Sequence, residues 1–310
     1  MSEIPDKPGI YRNVPFDDYM VIKAVPSSFL KDMDHTAHLA RWNADHSEAE
    51  KECYKKGRLF HALSLEPDAA EKLFIGKPGE YHHPDDEAGV MRKWNGNAGV
   101  CKEWEKVQAC AGRTVVSQDV MAETLGMAQA VRSHPDMRPF LSDADVELTV
   151  LWTDKMTGLL CKARFDGYKN WTVIDLKSTS GSAARERFPY EAAQYRYAIQ
   201  AAHYMDALET IDCPCMPSGD PVRPSPLFRF IAVEGYAPFD LQTFDVEDDP
   251  DAGSWDFLEY GRCRRAILMG NVKHCLETGE WPGYPVDAAD MTLTPNQVKE
   301  LEVMKGMVRA

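Results

Sequence analysis

This 310-residue chain is short of positive charge. Its 35 lysines and arginines stand against 49 aspartates and glutamates, leaving −14 at pH 7 with histidines neutral. That deficit excludes a protein coated in nucleic acid, because affinity for phosphates comes from Lys and Arg. It confines any polyanion contact to a local groove and makes the rest of the surface repel one. No apolar run comes near the roughly 18 residues that a helical membrane span needs. The first ten residues, MSEIPDKPGI, lack a basic stretch followed by an apolar one, so no secretory signal is expected. The eight cysteines show no disulfide-type spacing, and a reduced, cytoplasmic protein is expected. There is no internal repeat and no low-complexity tract. What remains is ordinary: hydrophobic residues make up 44% and charged residues 27%, the composition of a globular protein with a sizeable core.

The first 140 residues read as mostly helical. VPSSFLKDMDHTAHLARWNAD predicts a helix capped by Ser27 or Ser28, and KKGRLFHALSLEP a second. At Pro67 the chain is expected to turn into a further helix, DAAEKLF. GVMRKWNGNAGVCKEWEKVQAC and SQDVMAETLGMAQAVRSHP predict two more, after a loop at PGEYHHPDDEAGVM. The pattern changes near residue 145. VELTVLW and LLCKARFDGY alternate apolar and polar residues around a TDKMTG turn, which predicts a hairpin. WTVIDLK follows as a buried strand after a short turn at Lys169-Asn170. PYEAAQYRYAIQAAHYMDAL reads as one helix, LFRFIAVEGY and FDLQTFDV as strands, and SWDFLEYGRCRRAILMGNVKHCLETG as a closing helix. The expected class is α/β, a mixed central sheet flanked by helices with a helical N-terminal portion. One domain is expected over 1–285, helical to about 140 and α/β from 141, followed by a tail at 286–310 with an amphipathic helix.

The stretch TVIDLKST raises the chemical question. Asp175 and Lys177 share one side of a strand otherwise too apolar for a surface. An isolated Asp-x-Lys is most often a solvated salt bridge, but a buried pair is costly unless something uses it. Asp166 ends the preceding strand. If the two strands are neighbours, both carboxylates converge. Hard oxygen ligands beside a lysine suit Mg²⁺, with Mn²⁺ as a substitute. Such a metal activates water and neutralises phosphoryl charge, while Lys177 orients the attacking water or steadies the transition state. Metal-assisted phosphodiester hydrolysis is the chemistry expected. Two weaker signals accompany it: His61 lies one helical turn after Gly57, and Gln200 and Tyr204 lie at i and i+4 on one helix face. Alone, each reads as ordinary helix packing.

Taken in order, GRLFHALSLEP, TGLLCKARFDGY, VIDLKST, YRYAIQAAHY and GEWPGYP resemble the RecB-type branch of the PD-(D/E)XK nuclease superfamily, and within it nucleases of the exonuclease VIII (RecE) type. The early SSFLKDM resembles that family's serine-containing N-terminal helix, and the likeness runs from about residue 10 to 285. The resemblance implies a PD-(D/E)XK core in which His61, Asp166 and Asp175 are metal ligands together with the Leu176 carbonyl, and Lys177 is the catalytic lysine. It implies that Gln200 and Tyr204 buttress the site and touch the DNA. Glu147 aligns less firmly, as a ligand through water or as an exposed strand carboxylate. The chain departs from the common pattern in having an aspartate at both acidic positions.

The expected activity is a Mg²⁺-dependent double-stranded DNA exonuclease, 5′ to 3′, that leaves 3′ tails for recombination with a single-strand annealing protein. Two alternatives stay open: a structure-specific or single-strand endonuclease, and a non-catalytic DNA-end-binding or protein-interaction module. Lys162, Arg164, Ser178, Thr179 and Arg196 are candidate DNA contacts. A ring-shaped homo-oligomer of three or four subunits is expected, its channel lined by Lys162, Arg164, Arg185, Arg187 and Arg196, with no membrane partner. Cys213, Cys215, Cys263 and Cys275 do not match an iron–sulfur arrangement, since the last two stand twelve residues apart. They are expected to be packing residues.

Overall fold

In a computed structural model, the structure describes residues 4–46, 52–87, 89–210, 226–247, 256–287, 292, 297–300 and 304. In chain order the N-terminal part contains β1 (Gly9–Tyr11), α1 (Phe16–Val21), β2 (Val25–Pro26), α2 (Ser27–Met33), α3 (Ala37–Asp45), α4 (Glu52–Leu65) and α5 (Pro67–Leu73). Next come β3 (Phe74–Gly76), β4 (Glu80–Tyr81), β5 (Arg92–Lys93), α6 (Gly99–Cys110), β6 (Thr114–Val116), α7 (Gln118–Ser133) and α8 (Met137–Leu141). The remainder is β7 (Asp145–Thr153), β8 (Leu160–Lys169), β9 (Thr172–Thr179), α9 (Phe188–Gln194), α10 (Tyr197–Thr210), β10 (Leu227–Glu234), β11 (Leu241–Val246) and α11 (Phe257–Thr278).

Seven of these strands form the central sheet, ordered β1-β7-β8-β9-β10-β11, with β2 pairing β8. The expected hairpin is present, with β7 and β8 antiparallel. β9 returns antiparallel to β8 through Asn170 and Trp171, both at positive φ as a tight two-residue hairpin turn requires. β10 then runs parallel to β9, and β9 is buried on both faces by the flanking helices, as its apolar run implied. Val173 faces the larger core, packed by α2, α10 and α11; Ile174 and Leu176 face the smaller one, packed by α4, α7 and α8. The sheet is therefore mixed and flanked by helices, the class expected. Among the described residues no helix is long and apolar enough to cross a membrane.

Several elements differ from the sequence reading. The first long helix is two, because Asp34–Thr36 breaks it and Thr36 caps α3; Ser27 is the first helical residue of α2, after Pro26. The segment before α6 contains the short β5, since Asn95, Gly96 and Asn97 favour a turn over helix. The helix over 189–208 is broken at Tyr195-Arg196, where Arg196 takes φ 57°. Of the cysteines, Cys275 is buried as expected, whereas Cys263 is exposed, its Sγ 3.3 Å from Glu259 Oε1. Cys213 and Cys215 lie outside the described residues, as does most of the tail helix expected within 286–310.

Candidate active site

The site forms where the sheet forks. Pairing of β8 with β9 ends at Gly167↔Ile174. Beyond that point the Asp166 side chain replaces a ladder bond, its Oδ2 accepting the Leu176 N–H at 2.6 Å. The next stretch of β8 takes β2 as neighbour instead, through Cys161 and Lys162. Asp166 and Asp175 thus stand on diverging strands at the fork, both buried.

On the α4 side of the fork, His61 comes one turn after Gly57, a position with open space around any added Cβ. Its Nε2 meets the Leu176 carbonyl at 3.1 Å and its Nδ1 lies 3.3 Å from Asp166 Oδ1. The β7–β8 register is interrupted at Glu147 and Asp166, between the pairs Val146↔Gly167 and Leu148↔Phe165. Glu147 adopts φ 51°, a left-handed conformation unusual within a strand, and its carboxylate is paired with Arg164. Ligand atoms of His61, Glu147 and Asp166 all lie within 4.8 Å of one another. Backbone strain of this kind persists where surrounding structure enforces it, commonly at functional sites.

On the α10 side, Asp175 Oδ2 lies 2.5 Å from Lys177 Nζ, and its Oδ1 accepts a 2.6 Å hydrogen bond from Gln200 Nε2. The Gln200 Oε1 in turn accepts from Lys177 Nζ at 3.2 Å and from Lys31 Nζ at 3.3 Å. Two lysines thus fix the orientation of one amide, and the amide fixes the carboxylate. The Lys177 ammonium also sits 4.7 Å above the Tyr197 ring. Sequence reasoning missed Lys31 and Tyr197. Lys31 lies within the SSFLKDM stretch already singled out, and Tyr197 lies three residues before Gln200, on the same helix face.

The electrostatics follow from crowding charge in a buried fork. Burial would lower the His61 pKa, but Asp166, Glu147 and Asp175 outweigh it and hold the imidazole up at about 9. Burial pushes the Asp175 carboxyl up against the pull of Lys177, and likewise raises Glu147. Asp166 stays low despite its burial, because His61, Lys177 and the Leu176 amide favour its anion. Burial beside Lys177 lowers Lys31 to about 8.

These residues fit a divalent cation. Three ligand atoms converge, and beside them Asp175 is a buried carboxylate whose Oδ2 has the Lys177 ammonium at 2.5 Å. An oxygen-rich set with one imidazole suits Mg²⁺ or Mn²⁺, the imidazole favouring Mn²⁺.

The remaining candidates separate. The Tyr204 hydroxyl donates to the Arg164 carbonyl at 3.0 Å and is buried, so this residue buttresses β8 and does not present itself to DNA. Lys162 is 4% exposed and donates to the carbonyls of Tyr19, Met20 and Ile22, so it has no ammonium to offer a phosphate. The Arg164 guanidinium is taken by Glu147 and by the Val14 carbonyl. Arg196 is paired with Asp34 at 2.5 Å, and Thr179 is buried with its hydroxyl bonded to Glu191. Burying or pairing these groups was cheaper than leaving them free against the sheet, and sequence proximity to the motifs could not reveal it. Ser178, Arg185 and Arg187 are exposed.

A family described as PDDEXK-like domains of unknown function (DUF3799) matches residues 26–292, so the chain belongs to that family. Among solved structures, the chain is similar to a crystal structure of a presumed exonuclease from Eubacterium rectale, with 10% identity, a TM-score of 0.52, and coverage of 94% of this chain and 98% of that one. At that identity the likeness is one of fold. No curated protein matches the chain.

Proposed function

We propose that this chain is a divalent-metal-dependent double-stranded DNA exonuclease. It acts at duplex ends, digests 5′ to 3′ and leaves 3′ tails for a single-strand annealing protein in the cytoplasm. The observation that carries the reading is the convergence of His61, Glu147 and Asp166 at the fork, beside the buried Asp175 and its half-buried partner Lys177. Family membership and the ordered motifs support phosphodiester hydrolysis, and the description of the Eubacterium rectale neighbour supports the exonuclease form of it.

His61, Glu147, Asp166 and Asp175 are the residues that would hold Mg²⁺ or Mn²⁺, which supplies a water of lowered pKa and neutralises charge growing on the phosphoryl oxygens. Lys177 holds the attacking water or donates to the pentavalent phosphorus centre. Gln200 keeps that ammonium and Asp175 in register. Tyr197 provides an apolar floor that limits solvation of the lysine.

The test is digestion of linear and circular plasmid with Mg²⁺ or Mn²⁺. Loss of linear DNA alone is expected. Nicked circles would favour an endonuclease, and intact DNA in both metals a binding module. Lys177→Gln, which keeps a hydrogen-bonding partner for Asp175, is expected to lower the rate at least about 100-fold while the protein stays folded. Near-normal turnover at saturating metal would remove Lys177 from the chemistry.

A further inference from the structure

We infer that Tyr195 is a stacking platform for a nucleobase of the DNA strand beside the scissile bond. The inference rests on the nuclease reading and adds a substrate contact to it.

The helix expected over 189–208 is interrupted just where its periodicity would have continued. Arg196 adopts φ 57°, a conformation that costs a non-glycine residue roughly 1 kcal/mol or more. The break is held by the Arg196 side chain, which reaches Asp34 at 2.5 Å and the Gln194 carbonyl at 3.0 Å. Its effect is to send two tyrosines, two residues apart, to different environments. Tyr197 is buried beneath Lys177, whereas Tyr195 remains 51% exposed while stacked on Tyr197, with centroids 5.9 Å apart and planes 25° apart. A continuous helix would have turned the two side chains about 200° apart and lost that stack.

The result is an aromatic pair in which Tyr197 contacts the catalytic ammonium and Tyr195 is half exposed to solvent. The Tyr197 ring lies 4.7 Å from Lys177 Nζ, so the Tyr195 ring is no more than about 11 Å from the lysine, a distance that a stacked strand covers in about three nucleotides at ~3.4 Å each. An exposed tyrosine at that range suits a nucleobase, because every base has a π-face and stacking needs no sequence readout. A ring that served only to cover Tyr197 would be replaceable by any apolar side chain of similar size.

The experiment uses single-stranded and end-frayed DNA carrying 2-aminopurine at each of the three positions on either side of the cleavage site. Fluorescence is read with metal omitted, so that binding is measured without turnover. Wild-type protein is expected to quench the probe at one of these positions. Tyr195→Leu, which keeps apolar cover over Tyr197, is expected to abolish that quenching and weaken binding between about 5-fold and 150-fold, the range for loss of one base–aromatic stack. Tyr195→Phe and Tyr195→Trp are expected to retain both. Unchanged quenching and affinity in Tyr195→Leu would overturn the platform, even if plasmid digestion shows the protein to be a nuclease. Quenching that depends on Tyr195 in a protein that digests nothing would support the platform and defeat the nuclease reading alone.

Discussion

His61 sits between two demands. In the metal-free protein it is an imidazolium held by carboxylates, with a pKa near 9 against 6.5 for an ordinary histidine. As a ligand it must be neutral. Since the folded pKa is the higher, the stability this charge contributes is full below pH 6.5 and is lost as pH rises through 9. In metal-free buffer, the gap in melting temperature between wild type and His61→Gln should therefore be widest near pH 6 and close by pH 9.5. Metal and proton compete for the same ring, so Mn²⁺ affinity measured by calorimetry should rise about tenfold per pH unit between 6.5 and 8.5, with close to one proton released. A pH-independent affinity, or the same profile in His61→Gln, would take His61 out of the ligand set.

Elements carry these residues only as accurately as they pack. α10 supplies Gln200 and Tyr197, and it lies against α11 at Gly261. A Cβ there would fall 2.1 Å from the Ala198 carbonyl oxygen, a backbone atom that cannot swing away. Gly261→Ala is expected to cost about 1–3 kcal/mol in chemical denaturation. Gly270→Ala, on the same helix with open space at its Cβ, should be neutral or gain up to about 1 kcal/mol from helix propensity. Equal stability of the two variants would contradict the close approach of α10 and α11. The same elements explain what could be read in advance. The β7–β8–β9 meander and the Asp175–Lys177 face were legible because strand alternation and an out-of-place charge are local signals. The break at Arg196 was not, because the helical pattern runs straight through it and the cause, Asp34, lies more than 160 residues away in sequence. The convergence of Lys31 on Gln200 was hidden for the same reason. The fates of Lys162 and Arg164 depended on carbonyls of residues 14–22, which no motif marks.

At the scale of the whole molecule, a chain at −14 has still to hold a polyanion. We propose that it does so as a closed ring of three or four subunits, with cations gathered on a central channel and acids outside. Lys162, Arg164 and Arg196 are occupied within the subunit, so among the candidate wall residues the exposed Arg185 and Arg187 are those left to face DNA. Light scattering should then give three or four times the 34.9 kDa chain mass. A ring encloses its substrate, so digestion should continue after excess trap DNA is added. Loading should weaken steeply with salt, because each phosphate contact releases counterions and adds about 0.9 to the slope of log affinity against log salt. Replacing Arg185 and Arg187 together with glutamine should flatten that slope by about two units per subunit in contact and shorten each processive run, leaving the single-turnover cleavage rate of bound ends unchanged. A monomeric mass with distributive digestion would defeat the ring while leaving the fork chemistry intact. An unaltered salt slope in the double variant would move the channel wall to other cations.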